Sequence, residues 1–294
     1  MPKSRRTTAK ITIQSPNSQD VSLTGILEQL QPTENTTHRK LALLLHGSMG
    51  HKDNLFIKPL ALSLPLDSFR FDFRGNHEST GTWRVSGFAD DAEDIETVIN
   101  YLKHQYGYNT VLIIAHSRAV VGALRWLCTS EYSRDISGFV NIGGSYRPVA
   151  EQPSYEKSTA NREAAMVHGW YEVTHPVAGK PTTFKIKKED LLEIKAFDRG
   201  IIWDHFPAHI HVLTIHGLAD CLVPPYDAVI HARALSSRTP GTHNLALVEY
   251  ADHLFSSLYD ILITIVLQWW DMTGRGVLKN GFWNTLPTSY KGKL

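Results

Sequence analysis

The sequence predicts an α/β protein with a largely parallel central sheet and helices on both faces. The first observation is that apolar runs of strand length alternate with segments of helical periodicity along most of the chain, as is typical of this class. The second is composition: the 294 residues are 42% hydrophobic and 20% charged, as in an ordinary globular protein. The third is that the apolar run 111–115 turns abruptly into a helical segment at a serine. This length permits one large α/β domain or two small ones.

The first two predicted strands form a hairpin. Residues 11–14 and 21–30 have strand-like patterns, and the turn Pro16-Asn17-Ser18 joins them. Later strands, several of them continuous apolar runs typical of strands buried on both faces, are predicted from the rest of the chain. They lie at 41–45, 69–73, 111–115, 136–142, 211–216 and 245–248.

Helices are predicted where apolar residues recur with helical periodicity. In the segment from Phe88 to Leu102, acidic residues occupy the other positions. We expect these acids on the solvent face: Asp90, Asp91, Glu93, Asp94 and Glu96. The predicted helices are 55–64, 88–102, 117–128, 188–197, 226–235 and 256–270.

Residues 145–205 interrupt this alternation. The segment is polar and contains four prolines, with one candidate amphipathic helix at 188–197. An insertion of this length in a compact α/β domain is usually functional, so we interpret it as a cap over an active site. A surface excursion without a catalytic role is the alternative. The domain prediction is therefore a core formed by 1–144 and 206–294, with a cap at 145–205.

Charge and composition argue against several classes of partner. The formal net charge of +1 gives no reason to expect nucleic acid or an anionic membrane as partner. The longest apolar stretch, 261–270, is shorter than the roughly 20 residues of a membrane-spanning helix, so stable membrane insertion is not expected.

Cysteines and the N-terminus bear on the cellular location. Cys128 and Cys221 lie in apolar stretches and predict buried free thiols in a reducing compartment. Residues 1–10 lack the apolar core of a secretory signal, which favours a cytoplasmic protein, with organelle import as the alternative.

Ser117 is the first candidate catalytic residue. It follows an apolar run and precedes a second apolar segment, so we expect a strand that turns into a helix at this serine. Such a turn exposes the nucleophile of one large enzyme fold, in which glycine usually stands at the positions that Ala115 and Ala119 occupy here. Alanine is the next smallest residue and still permits close packing. A simple helix N-cap is the alternative role for this serine.

Asp220 and His253 are the candidate partners of that serine. Each follows a separate predicted strand, and open α/β sheets bind their ligands at the carboxyl ends of strands. A serine hydroxyl needs a base to become a nucleophile, and an acid orients that base. The order serine, aspartate, histidine is that of the fold with this nucleophile turn. Asp252 is a competing acid, but a neighbouring residue seldom reaches the far nitrogen of the adjacent imidazole, so we favour Asp220.

The segment His46-Gly47-Ser48-Met49-Gly50 predicts part of an oxyanion-binding site, with an ordinary glycine turn as the alternative. A tetrahedral intermediate carries negative charge on oxygen, and backbone N–H groups held in position stabilise it. We expect one donor from Ser48 and the other from Arg118, where the helix dipole has the same effect. Two orientations are open for the side chain of Arg118, away from the site or toward the substrate.

Together these stretches resemble the α/β-hydrolase superfamily. The resemblance is closest to serine hydrolases such as the cinnamoyl (feruloyl) esterases, monoglyceride-lipase-like enzymes and proline-iminopeptidase-type peptidases. It extends to the stretch Asp72-Phe73-Arg74-Gly75-Asn76-His77-Glu78-Ser79, and the segment 188–198 resembles the cinnamoyl-esterase cap. His77 stands where glycine is usual, and we interpret it as a loop residue, with a place in the substrate pocket as the alternative. Arg74 is interpreted as a clamp among loops.

The resemblance implies the α/β-hydrolase fold and a serine hydrolase of carboxylic esters, with Ser117, Asp220 and His253 as catalytic residues. Its partner would be a small-molecule ester, with an apolar or aromatic part suggested by the aromatic residues of the cap. A hydrolase of small peptides or amides, a lyase or transferase with the same residues, and a catalytically silent binding protein are the alternatives. No cofactor or metal is expected. The chain has no His-Glu-x-x-His or paired-cysteine pattern for a metal, and no G-x-G-x-x-G pattern for a dinucleotide.

Overall fold

The computed structural model describes residues 6–147 and 159–283. Its strands are β1 (Thr7–Gln14), β2 (Ser22–Gln29), β3 (Lys40–Leu45), β4 (Asp67–Phe71), β5 (Asn109–His116), β6 (Gly138–Ile142), β7 (Trp170–Val177), β8 (Lys180–Lys187), β9 (His211–Gly217), β10 (His243–Val248) and β11 (Gly281–Phe282). Its helices are α1 (Ile57–Ser63), α2 (Phe88–Tyr106), α3 (Arg118–Thr129), α4 (Thr159–His168), α5 (Lys188–Ala196), α6 (Ile201–Asp204), α7 (Tyr226–Leu235) and α8 (Tyr259–Gly274), with a 3-10 helix at Glu131–Asp135.

One large sheet organises the fold. Its strand order is β1-β2-β4-β3-β5-β6-β9-β10-β11, and β7 and β8 form a separate hairpin. β1 and β2 pair antiparallel with each other, as do β2 and β4, whereas all neighbours from β4 to β11 run parallel. This sheet confirms the predicted fold class. The parallel arrangement brings the carboxyl ends of β3, β5, β9 and β10 to one edge, where the loops with the candidate residues begin.

The central strands are buried on both faces. In β5, Ile113 and Ala115 pack into the core formed with α2 and α3, whereas Leu112 and Ile114 pack with α1 and α8 on the opposite face. Side chains alternate between the two faces of a strand. A strand covered by helices on both sides therefore needs apolar residues throughout, which explains the continuous apolar runs in the sequence.

The main difference from the sequence prediction lies in residues 145–205. The predicted helix is present as α5, but the segment also contains α4, α6 and the hairpin of β7 and β8, which were not predicted. Pro176 and Pro181 argue for irregular structure, yet they face each other in the register of this hairpin. Ala178 and Gly179 between them have φ of 48° and 78°, which is typical of a tight two-residue hairpin turn.

Two predictions about burial are wrong. Asp91 and Asp94 of α2 are buried rather than solvent-exposed, because the guanidinium groups of Arg118 and Arg74 pair with them. Cys221 is exposed on the loop after β9, where its side chain has little to pack against, whereas Cys128 is partly buried. Both cysteines are free thiols, as predicted.

Two further points bear on the predicted organisation. Residues 148–158 of the predicted cap lie outside the described residues, and the domain boundaries stay a prediction. Within the described ranges, each helix is too short or too polar to traverse a lipid bilayer.

Candidate active site

Ser117 lies where β5 ends and α3 begins. Its backbone has φ 55° and ψ −123°, a conformation that residues other than glycine rarely adopt and that often marks a functional site. The flanking Ala115 and Ala119 are buried, and a Cβ atom on Gly47 would lie 3.1 Å from the Ser117 Cβ. Small residues are therefore needed around this turn, and alanine is small enough at the two positions where glycine is usual.

His253 connects Ser117 with Asp220. Its Nε2 lies 2.8 Å from the Ser117 Oγ, and its Nδ1 lies 2.7 Å from the Asp220 Oδ2. An ionised carboxylate only accepts hydrogen bonds, so Nδ1 carries the proton of the neutral imidazole and Nε2 accepts from the serine hydroxyl. The structure brings the three residues together with the imidazole in the tautomer that can take up the serine proton.

The Asp220 carboxylate is surrounded by donors. Its Oδ1 accepts from the backbone N–H groups of Leu222 and Val223 at 2.9 and 2.8 Å, and its Oδ2 also lies 3.2 Å from the His216 Nε2. Burial alone would raise the pKa of Asp220, but the hydrogen bonds from His216 and His253 hold it below its usual range. The carboxylate is therefore charged and is placed where it can stabilise a positive charge on the imidazole.

Asp252, the competing acid, has a different environment. Its Oδ1 accepts from the backbone N–H groups of Leu254 and Ser256 at 3.1 and 2.9 Å. This carboxylate therefore shapes the loop that carries His253, whereas Asp220 is hydrogen-bonded to the imidazole itself.

The two candidate oxyanion donors lie on separate loops beside Ser117. Ser48 directly follows Gly47, whose backbone approaches Ser117 closely, and Arg118 is the first residue of α3. In the ranges 6–147 and 159–283, neither of their backbone N–H groups has a backbone acceptor. Both groups are therefore available to an anionic oxygen.

Comparison with solved structures establishes the fold. Est1E from Butyrivibrio proteoclasticus, with ferulic acid bound, matches with a TM-score of 0.67 at 15% identity, over 90% of this chain and 99% of that chain. Esterase Pf2001 from Pyrococcus furiosus matches with a TM-score of 0.61 at 14% identity, over 92% and 91%. ATU1826 from Agrobacterium tumefaciens, a protein of unknown function considered an α/β hydrolase, gives 0.60 at 17%, over 91% and 97%. The chain has the α/β-hydrolase fold.

Similarity in sequence is more limited. The uncharacterised protein YDL057W from Saccharomyces cerevisiae is 28% identical over 237 residues, which cover 73% of this chain and 68% of that protein. No family model matches the chain. The resemblance to α/β hydrolases therefore depends on the fold and on the arrangement of the candidate residues.

The side chain of Arg118 extends from the turn at Ser117 in this α/β-hydrolase fold toward α2. Its guanidinium contacts the Asp91 carboxylate and donates from Nη2 to the backbone oxygen of Arg84 at 2.9 Å. It also lies over the rings of Phe88 and Trp83, at 5.2 and 5.8 Å from their centroids. These contacts commit the guanidinium to the segment 83–91, and its orientation relative to a substrate stays a prediction.

Arg74 and His77 lie on the loop after β4. Arg74 donates to Asp94 at 2.8 Å and to Glu93 at 2.7 Å, and thereby ties this loop to α2 as a clamp. His77 is exposed, and its ring centroid lies 5.0 Å from that of His51. That His77 has no place in the substrate pocket stays a prediction.

One group of side chains in the described part of the chain has the spacing of metal ligands: Asp72, His77 and Glu78. Lys52 already pairs with both carboxylates of this group, because its Nζ lies 2.6 Å from Asp72 and 2.5 Å from Glu78. A metal ion there would have to displace this ammonium group. These residues therefore do not fit a metal site.

Three buried histidines surround the site, and the sequence reasoning assigned no role to them. His216 contacts Asp220, and the His116 Nε2 donates to the backbone oxygen of His253 at 3.0 Å. The His46 Nε2 accepts from the backbone N–H of Phe73 at 3.1 Å. Each lies at or just beyond the end of a strand, which is the signal that could have identified them.

Proposed function

We propose that the protein is a serine hydrolase that cleaves carboxylic esters through an acyl-enzyme on Ser117. The observation that carries this proposal is the hydrogen-bonded series from Ser117 through His253 to Asp220, with distances of 2.8 and 2.7 Å. A protein of the same fold, Pf2001, is an esterase, which supports the reaction class. The ferulic acid bound to Est1E supports a substrate with an apolar or aromatic part.

The proposed reaction has two halves. In the first, the Ser117 Oγ attacks the acyl carbon while the His253 Nε2 takes the hydroxyl proton, and Asp220 stabilises the imidazolium. The backbone N–H groups of Ser48 and Arg118 donate to the oxyanion of the tetrahedral intermediate. The alcohol leaves with the proton from His253. In the second half, His253 deprotonates a water molecule that attacks the acyl carbon, and Ser117 regains its proton as the acid leaves.

Residues 145–205 are proposed as the cap over this site. The Ser86 Oγ donates to the Asp190 Oδ1 of α5 at 2.7 Å, and the rings of Phe184 and Trp83 are 4.9 Å apart. These contacts support a position of the segment beside the nucleophile turn. Its aromatic side chains favour an apolar or aromatic part of the ester. The two free cysteines support a reducing compartment, so the cytoplasm is the proposed location.

Labelling with a fluorophosphonate probe tests the nucleophile. The wild-type protein should be labelled, because the phosphorus reagent traps a serine activated by a base. The Ser117→Ala variant should not be labelled, whereas Ser137→Ala, which removes an exposed serine just before β6, should be labelled as the wild type is. Labelling that survives Ser117→Ala would exclude Ser117 as the nucleophile.

Turnover of 4-nitrophenyl and cinnamoyl esters of graded length tests the reaction class. We expect measurable hydrolysis in the wild type and a decrease of about a thousandfold or more in kcat for His253→Ala. Near-normal turnover in that variant would exclude His253 as the base. A wild-type protein that neither reacts with the probe nor hydrolyses any ester would favour a silent binding protein on this scaffold.

A further inference from the structure

Both candidate oxyanion donors lie next to residues with strained backbones. Met49, which follows Ser48, has φ 53°, and Ser117, which precedes Arg118, has φ 55°. Residues other than glycine persist in this region only where surrounding contacts hold them there. The orientation of both N–H groups therefore depends on the contacts of the adjacent residues.

Trp83 provides contacts on the side of Arg118. The guanidinium of Arg118 lies 5.8 Å from the centroid of the Trp83 ring, and the Trp83 side chain is buried. The position of Trp83 is itself tightly fixed, because a Cβ atom on Gly75 would lie 2.1 Å from the Trp83 backbone nitrogen. Glycine at that position, with φ 67°, lets the two backbones approach.

The hairpin of β7 and β8 provides contacts on the side of Ser48. Trp83 forms a small buried cluster with Val177, Phe184 and Ile186 of this hairpin, and Met49 packs against the same cluster. The Phe184 ring meets the Trp83 ring edge to face, with centroids 4.9 Å apart. Met49, the neighbour of Ser48, and the side chain of Arg118 itself therefore contact one cluster, in which the rings of Trp83 and Phe184 are paired.

Polar contacts hold the hairpin and its neighbouring helix against this cluster. The Ser86 Oγ lies 2.7 Å from the Asp190 Oδ1 and 2.8 Å from the Glu193 Oε2, both on α5. Two residues earlier, the backbone oxygen of Arg84 accepts from the Arg118 Nη2 at 2.9 Å. The segment 83–87 is thus bonded to α5 on one side and to the residue after the nucleophile on the other.

We propose that Trp83 and Phe184 are positioning residues that hold the backbone N–H groups of Ser48 and Arg118 in the geometry of an oxyanion hole. The hairpin of β7 and β8 then has a part in the chemical step, in addition to covering the site. This inference rests on the proposed function. Neither side chain touches the reacting atoms. Trp83 acts through the side chain of Arg118, and Phe184 acts through the cluster that Met49 packs against.

Amide NMR spectra of the ¹⁵N-labelled protein test the inference without any substrate. In Phe184→Leu, which keeps an apolar side chain but removes the ring, the amide resonances of Ser48 and Arg118 should shift by more than their linewidth, because the orientation of both N–H groups changes. Trp170→Leu is the matched control, because Trp170 is an exposed aromatic residue of the same hairpin that stacks on Lys185. It should leave both resonances unchanged.

Two results would overturn the inference. In the first, the amide resonances of Ser48 and Arg118 are the same in Phe184→Leu as in the wild type. In the second, amide resonances shift equally throughout β5, since Phe184 would then support the fold as a whole rather than the two donors.

Kinetics provide the second measurement. Because an oxyanion hole binds the transition state rather than the ester, Phe184→Leu should lower kcat by about tenfold to a hundredfold with KM within about threefold of wild type. Affinity for an alkyl boronic acid, which forms a tetrahedral adduct with the nucleophile, should fall in parallel with kcat/KM. An effect confined to KM would contradict the inference. A wild-type protein that hydrolyses no ester, although the two amides respond to Phe184→Leu, would refute the proposed function instead.

Discussion

At the scale of single residues, the surroundings of Asp220 predict the effect of replacing it. In Asp220→Asn, one face of the side chain can still accept from the backbone N–H groups of Leu222 and Val223. The new amide nitrogen would then face His253, which donates to the wild-type carboxylate, and His216, whose Nε2 lies 3.2 Å from it. The His253 imidazole should change tautomer, and kcat for 4-nitrophenyl acetate should fall by about a thousandfold to ten-thousandfold.

Asp252→Asn is the matched control for this variant. The amide oxygen of the new side chain can accept from Leu254 and Ser256 as the Asp252 Oδ1 does, so kcat should stay within about threefold of wild type. Comparable losses in the two variants would contradict the assignment of Asp220 as the acid that orients the base.

The candidate residues differ in how far the sequence could predict them. Ser117, Asp220 and His253 each follow a predicted strand, so the parallel sheet alone implies that they meet at one edge. His216 and Trp83 were missed for a different reason. The importance of His216 comes from its distance to one carboxylate oxygen, and that of Trp83 from a ring in the hairpin about a hundred residues later. The place of His216 at the end of β9 marks it only as near the site, and sequence spacing carries no information about the contact of Trp83.

At the scale of elements, the packing of α3 on α2 depends on Gly122. A Cβ atom on this residue would lie 2.7 Å from the Cβ of Asp91, an atom that cannot move without its helix. Alanine would gain about 1 kcal/mol in helix propensity, but overpacking costs about 1–3 kcal/mol. We expect Gly122→Ala to lower the free energy of unfolding in urea, by up to about 2 kcal/mol, and to disturb the contact of Asp91 with Arg118.

Gly274→Ala is the control for this prediction. Gly274 is the last residue of α8, and a Cβ atom there would meet no other atom within 4 Å. The propensity gain then has no steric cost, so this variant should be neutral or up to about 1 kcal/mol more stable. Equal destabilisation of the two variants would show that loss of glycine itself, rather than the Asp91 contact, is responsible.

The elements themselves could be predicted to different extents. The central strands are buried on both faces, so their apolar runs identify them without further information. The hairpin of β7 and β8 is mostly exposed and has polar residues on both faces, and a proline occupies each strand near the turn. It depends on contacts with residues such as Trp83 that lie far away in sequence, and no local pattern predicts those contacts.

At the scale of the whole molecule, the fold buries imidazoles on both sides of the sheet. Burial lowers the pKa of His46 and His231 to about 4 and that of His116 and His243 to about 3, from an ordinary value of 6.5. These groups are neutral in the folded protein at pH 5, whereas in the unfolded chain they are protonated. Unfolding therefore takes up protons in this range, and each such proton makes stability rise with pH by about 1.4 kcal/mol per unit.

Their contribution is fully present above pH 6.5 and decreases as the pH falls toward 4, so the free energy of unfolding should be lower at pH 5 than at pH 7.

The variant His243→Gln isolates the contribution of one group. The free energy of unfolding is measured against pH for the variant and the wild type, and the difference between the two curves removes the effects of the groups common to both. The stability of the variant should decline less steeply between pH 6 and 4.5, by about 1.4 kcal/mol per unit. The control His104→Gln removes an exposed imidazole of α2 and should leave the slope unchanged. Equal slopes for His243→Gln and wild type would mean that His243 titrates in the folded protein as it does in the unfolded chain.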